Sequence, residues 1–181
     1  MRRLILILFS VAFVGNTIAD DNLQFEAQDL VNQFVELLKP QLTKAMSEGG
    51  PTRAIEVCAS AAPKIADSLS AESGWTVGRV SLKSRNASRG TPDHWERTVL
   101  EQFDQRRNAG ESAAKINYGE TVGSQYRYMQ AQGVEPLCLT CHGENLSVPV
   151  RESLKQYYPD DWATDYTLDQ IRGAISVGKA L

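Results

Sequence analysis

Cysteine and histidine are scarce in this chain, which has three cysteines and two histidines among 181 residues. Two of the cysteines and one histidine share a single stretch, Cys138-Leu139-Thr140-Cys141-His142. Only Cys58 and His94 remain elsewhere to complete a set of nitrogen and sulfur ligands, whereas a structural zinc takes four ligands. The scarcity therefore disfavours zinc and directs attention to the one stretch where three of these residues meet.

Long apolar runs are also lacking. The run from Leu4 to Val14 has eleven residues, which is too few to span a bilayer. Two arginines precede it and Thr17-Ile18-Ala19 follows it, as in a secretory signal peptide. We therefore predict a cleaved export signal over residues 1–19 and a periplasmic location. Because no cysteine lies near the predicted cleavage point, a lipid anchor is not expected.

The chain has no excess of positive charge. Its net charge is −3, and removal of Arg2 and Arg3 with the signal takes it to −5. This mild acidity argues against nucleic acid, or an anionic membrane, as a partner. The remaining residues 20–181 are enough for one domain with a substantial core.

What the sequence does contain is the pattern C-x-x-C-H. Two cysteines three residues apart place both sulfurs on one side of a helical turn, where they can form thioether bonds to the two vinyl groups of a haem. The adjacent His142 can then bind the iron, so the pattern predicts c-type haem attachment. The predicted export signal agrees with this, because such attachment takes place outside the bacterial cytoplasm. A redox dithiol pair is the main alternative, but Gly133-Val134-Glu135-Pro136 reads as a turn rather than a strand.

The second iron ligand is less clear from the sequence. No methionine follows His142, although small electron-carrier cytochromes often use a downstream methionine. The candidates are Cys58, His94, Met46, Met129 and an open site. Cys58 is favoured, because an odd cysteine in an exported protein needs a reason and this one lies on the apolar face of a helix. A small buried hydrophobe is the alternative role for Cys58.

Apolar spacing predicts helices first and strands later, which indicates an α+β fold with an antiparallel sheet. Pro40 and Pro63 are expected to bend or kink their helices, and Thr91 is expected to cap the third helix. The predicted helices cover residues 21–47, 51–71, 91–107 and 147–158, and the predicted strands cover residues 74–83, one or two segments within 112–132, and 171–177.

Seven stretches, taken together, carry a family resemblance. They are Ala54-Ile55-Glu56-Val57-Cys58, Gly78-Arg79-Val80-Ser81-Leu82-Lys83, Arg85-Asn86, Pro92-Asp93, Trp95-Glu96, Glu135 to Gly143 and Ile171 to Val177. These stretches resemble a family of bacterial and cyanobacterial single-haem c-type proteins with a PAS-like fold, which also occur as periplasmic sensor modules. The resemblance implies a PAS-like antiparallel sheet with flanking N-terminal helices, and His142 and Cys58 as the two axial ligands.

The sequence therefore predicts an exported cytochrome with one covalent haem c, held by Cys138 and Cys141, that transfers single electrons to an unidentified redox partner protein. Arg79, Arg85 and Arg89 are candidates to pair with the haem propionates. The alternative function is a haem-based sensor of redox state or of NO or CO, acting through a partner protein. We do not expect an enzyme, because no acid–base group for a peroxidase or a sulfur-compound oxidase is evident.

Overall fold

The computed structural model describes residues 17–181, and its first element is a helix folded back on itself. This helix, α1, runs over Thr17–Ser73 and breaks at Gly50, where φ is 68° and ψ is −161°. The arm before the break packs against the arm after it, since Leu30 and Phe34 share an apolar cluster with Ile65 and Leu69. Residues 1–16 of the predicted export signal lie outside the described part of the chain.

The turn of this helical hairpin is encoded at Gly50 and Pro51. The dihedral angles of Gly50 are accessible almost only to glycine, and proline suits the first turn of the next helix. The predicted break between the two helices is thus confirmed. Helical dihedral angles continue through Pro40 and Pro63, so neither proline ends its helix, and a bend at either position stays a prediction.

The elements after α1 are short. In chain order they are β1 Thr76–Val80, α2 Ala87–Gly90, α3 His94–Asn108, β2 Asn117–Val122, β3 Gln125–Gly133, α4 Leu139–His142, α5 Val148–Tyr157 and β4 Ile171–Ala180, with 3-10 turns at Ala113–Lys115 and Pro136–Cys138. No helix among residues 17–181 has the length and apolar character needed to cross a membrane.

The four strands form one antiparallel sheet in the order β1-β4-β3-β2. The predicted α+β class with an antiparallel sheet and flanking N-terminal helices is confirmed. The terminal strand β4 is longer than predicted because it lies centrally, where Val177 pairs with both Val77 and Tyr128. The first strand is shorter than predicted, and the short helix α2 lies between the first predicted strand and the third predicted helix.

The sheet buries a different core on each face. The α1 hairpin covers one face, and α3 covers the other. The core on the hairpin side includes Leu30, Phe34, Leu69, Val77, Tyr128 and Ile175, and the core on the α3 side includes Leu100, Phe103, Ile116, Met129 and Ala174.

Helix α3 begins two residues later than predicted. Asp93, not Thr91, is its N-cap, because the Asp93 carboxylate accepts a hydrogen bond from the Glu96 N–H at 2.8 Å. The Glu96 carboxylate accepts one from the Asp93 N–H at 3.0 Å, which completes a capping box.

A third apolar cluster lies toward the hairpin turn and positions the candidate site. There Ile55 of α1 packs against α5 and the segment before it, with Cys141 and Ala59 at the margin of the cluster. The buried members are Ile55, Leu146, Val150, Leu154 and Tyr158. This packing brings the second arm of α1 against the segment that carries the C-x-x-C-H motif.

Candidate functional site

The C-x-x-C-H motif lies on consecutive helical turns, as predicted. A 3-10 turn over Pro136–Cys138 leads directly into α4, which contains Cys141 and His142. The Gly143 N–H donates to the Leu139 carbonyl at 2.9 Å and closes α4. A Cβ atom at Gly143 would lie 2.7 Å from that carbonyl oxygen, so glycine allows the tight exit after the histidine.

Both motif thiols are free and half-buried, each against a different apolar group. Cys138 packs beside Val134, Ala163 and Tyr166, and its sulfur accepts a hydrogen bond from the Glu135 N–H at 3.4 Å. Cys141 packs at the edge of the cluster around Ile55. The two sulfurs are therefore ordered and remain available for bonds to a bound group.

The imidazole of His142 is held in one tautomer. Its Nδ1 lies 2.8 Å from the Ala163 carbonyl oxygen, and since a carbonyl only accepts, Nδ1 carries the proton and Nε2 keeps its lone pair. Burial, followed by the charges of Arg172 and Arg85, lowers the pKa of His142 well below its ordinary value. A neutral imidazole with a free Nε2 is the form that binds a metal ion.

Cys58 lies in the second arm of α1, next to the motif. α1 contacts both α4 and α5, and a charge on Cys58 is close enough to raise the pKa of the Cys141 thiol. Burial raises the pKa of the Cys58 thiol itself, while the positive charges of Arg79 and Arg85 oppose that shift. The structure thus brings Cys58, Cys138, Cys141 and His142 into one region.

Two of the other candidate ligands, His94 and Met129, lie in other parts of the fold. His94 is exposed at the start of α3. Met129 is fully buried in the core on the α3 side of the sheet, where it packs among aliphatic and aromatic side chains. Met46 is half-buried in the first arm of α1, close to the hairpin turn. Cys58 is therefore the candidate that the fold places beside the motif.

Two of the three predicted arginines face this region. Arg85 is held by Asp161 at 3.2 Å, with both side chains largely buried, and it also donates to the carbonyl oxygens of Cys141 and Ala163. Arg79 is exposed and forms no ion pair among the described residues. Arg89 instead pairs with Asp67 on the surface, so its guanidinium is already engaged.

Arg172 is a site residue that sequence reasoning missed. It is buried beside His142, with its Nε 3.1 Å from Nδ1 and 3.4 Å from Nε2 of the imidazole. Burial lowers its pKa to about 10, which still leaves the side chain charged at neutral pH. The signal available in the sequence was a charged residue near the start of β4, between Ile171 and the small residues Gly173 and Ala174.

The donor set fits a c-type haem better than zinc. Two ordered thiols, a neutral imidazole with a free Nε2 and a third thiol are the groups that such a haem uses for attachment and axial ligation. Residues 17–181 contain no cluster of three or more His, Cys, Asp or Glu side chains placed to share a metal ion, whereas structural zinc needs four ligands.

Comparison with known proteins gives one family and one solved structure. The model of the Tll0287-like family matches residues 16–179. The crystal structure of the cyanobacterial haem protein Tll0287 superposes with a TM-score of 0.64 at 24% sequence identity, and the match covers 92% of this chain and 97% of that chain. No curated protein matches. At this level of identity the structural match establishes the shared fold.

Proposed function

The chain belongs to the Tll0287-like family, and we propose that it is an exported single-haem c-type cytochrome that carries single electrons. The solved relative is a haem protein, and this chain has a complete C-x-x-C-H motif on helical turns. The observation that carries the proposal is the position of Cys58, which lies beside the motif although 80 residues separate it from Cys138.

In this proposal each site residue has one role. Cys138 and Cys141 would hold the porphyrin through thioether bonds, and His142 would bind the iron through Nε2. Cys58 would supply the second iron ligand. The carbonyl of Ala163 keeps the His142 ring in the required tautomer, at an Nδ1 to oxygen distance of 2.8 Å.

The haem iron, when bound, supplies a centre that alternates between the ferric and ferrous states by one electron. A thiolate from Cys58 stabilises the ferric state through its negative charge, so we expect a lower potential than in cytochromes with His/Met ligation. With protein ligands on both faces, substrate chemistry is blocked and electron transfer is favoured over catalysis. Asp161, the carboxylate at the site, is already engaged by Arg85 and by the Ala163 N–H, which also supports a carrier rather than an enzyme.

One observation favours a second candidate, a haem-based sensor of redox state or of NO or CO that acts through a partner protein. Burial raises the pKa of the Cys58 thiol, and this favours the protonated form, which is a poor ligand. Reduction of the iron, which weakens its hold on a thiolate, would then release Cys58 and open a position for a diatomic gas. The charges of Arg79 and Arg85 oppose this shift but do not reverse it.

The proposed location is the periplasm, reached by the export signal predicted in residues 1–19. We propose a protein redox partner, since the mild acidity of the chain argues against nucleic acid and against anionic membranes after the signal is removed.

Absorption spectra of the oxidised and reduced protein, produced with haem-attachment machinery, test this function. We expect a c-type spectrum from one covalent haem per chain, and no change in the reduced spectrum when CO is added. Rapid binding of CO to the reduced protein would contradict the electron-carrier function and support the sensor function. A protein that acquires no covalent haem would contradict both functions and favour a redox dithiol pair formed by Cys138 and Cys141.

A further inference from the structure

Arg172 is a buried cation that pairs with no carboxylate among residues 17–181. Its side chain is 9% exposed, and its Nη1 donates to the Ser81 hydroxyl at 3.0 Å and the Lys83 carbonyl at 3.3 Å. No described carboxylate pairs with it within ion-pair distance. Arginine is rarely buried without a partner of opposite charge, because burial of an unpaired charge is destabilising. The position of this guanidinium therefore costs the folded protein stability.

The contact between Arg172 and His142 has a specific geometry. Nδ1 of His142 donates to Ala163, so it cannot also accept a hydrogen bond from the Arg172 Nε. That Nε lies at nearly equal distances, 3.1 Å and 3.4 Å, from the two ring nitrogens. An atom so placed lies over the ring or against the edge between the nitrogens, not along the lone pair of Nε2. The guanidinium therefore restrains the imidazole and leaves its metal-binding atom free.

The ring is restrained from other directions as well. Tyr166 stands edge-on to the His142 ring, with ring centroids 6.2 Å apart and an interplanar angle of 85°. The Arg172 guanidinium also lies 5.3 Å from the centroid of the Tyr166 ring, at cation–π distance. The three side chains thus form one packed unit in which the charge of Arg172 is fixed beside the imidazole.

We propose that Arg172 is a positioning residue that fixes the His142 ring and, through its charge, raises the reduction potential of the iron that His142 binds. The inference rests on the proposed function. A fixed positive charge next to an axial ligand disfavours the additional positive charge of ferric iron. Arg172 would therefore act against the thiolate of Cys58, which favours the ferric state.

The test compares the midpoint potentials of haem-loaded wild-type protein, Arg172→Gln and Arg172→Lys in a titration with dithionite and redox mediators. Loss of the charge in Arg172→Gln should lower the equilibrium constant for reduction about tenfold, which is about 59 mV for one electron. Arg172→Lys keeps the charge and should recover most of this difference. Arg89→Gln is the matched control, because it removes the same charge from the exposed pair with Asp67, and its potential should stay at the wild-type value.

The inference is overturned by an unchanged or raised potential in Arg172→Gln, or by an equal fall in Arg172→Lys, which would indicate packing alone. If Arg172→Gln does not fold, Arg172→Met replaces it, because this change also removes the charge and keeps a long unbranched side chain that suits a buried position. A lower potential in Arg172→Met then supports the inference, and a wild-type potential overturns it. Wild-type protein without covalent haem would refute the proposed function itself, which distinguishes the two failures.

Discussion

The second arm of α1 serves two purposes along its length. In the half nearer to β1, Ile65, Ala66 and Leu69 are buried against the first arm and the sheet. In the half nearer to the hairpin turn, Ile55 packs against α5 and Cys58 lies half-buried beside the C-x-x-C-H motif. One end of this arm is thus buried in the apolar core, and the other end contributes a thiol to the candidate site.

The parts of the fold around these two halves, called the apolar half and the site half below, also differ in how their charges are paired. In the apolar half, the Glu26 carboxylate of the first arm accepts a hydrogen bond from Lys179 at 2.7 Å on the surface. In the site half, Arg172 is buried beside His142 and has no carboxylate partner among the described residues. The apolar half supplies stability, and this stability allows the other half to keep reactive and uncompensated groups. The predictions below test whether the two halves can be altered separately.

The largest effect is expected at the motif. Replacing Cys138 and Cys141 together by alanine should abolish covalent haem attachment, because both sulfurs that can form thioethers are removed. Mass spectrometry of the denatured protein checks for the haem adduct. Cys58→Ala is the matched control and should keep the adduct; retention of covalent haem in the double variant would refute the assigned roles.

In the apolar half, Phe34→Ala should lower the free energy of unfolding by about 3–5 kcal/mol, because it leaves a cavity in the core between the hairpin and the sheet. Phe34 is 2% exposed, whereas Phe25 in the same arm is 73% exposed and provides the control Phe25→Ala. Denaturant unfolding measures both. If the two variants lost the same stability, the division between the two halves would be wrong.

At the turn that joins the arms, Gly50→Ala should cost about 1–3 kcal/mol, because residues with a Cβ rarely adopt its dihedral angles. The free energy of unfolding should fall, and the ligation of the haem should be preserved if the arms still pair. Ser47→Ala, at an exposed position of the first arm, is the control. A neutral Gly50→Ala would mean that the turn is not fixed in this conformation.

The smallest effect concerns the surface pair in the apolar half. The hydrogen bond from Lys179 lowers the pKa of Glu26 in the folded protein. The stabilisation of the folded protein by this hydrogen bond is therefore fully present above the ordinary glutamate pKa. It is lost as the pH falls through the lowered pKa of Glu26. Glu26→Gln should remove this part of the pH dependence and cost less than about 1 kcal/mol at neutral pH. Denaturant unfolding from pH 7 to pH 3 measures this effect. A larger loss in the free energy of unfolding would contradict the description of Glu26 and Lys179 as a surface ion pair.

Much of the fold could be predicted because its signals are local. Four-residue apolar spacing and the Gly49-Gly50-Pro51 break define the hairpin, and glycine conformations need no tertiary information. The error at the start of α3 lay in the choice between two local signals. Thr91 is the predicted cap, whereas Asp93 has the reciprocal Glu96 that completes a capping box.

The site could be predicted only in part. The motif is contiguous in sequence, and the scarcity of cysteine made Cys58 conspicuous. The partners of His142 are remote, since Ala163 follows it by 21 residues and Arg172 by 30. A backbone carbonyl carries no sequence signal at all, and a single arginine in a strand gives no indication of what it touches. Such contacts become visible only when the fold is known.

The central claim is that Cys58 and His142 bind the same iron, and the electron paramagnetic resonance spectrum of the ferric protein tests it most directly. The wild-type protein should give a low-spin signal typical of thiolate ligation. Cys58→Ser should lose that signal and keep the covalent haem, while His94→Ala should match the wild type. A spectrum that Cys58→Ser leaves unchanged would contradict the account and leave the second axial position to another group.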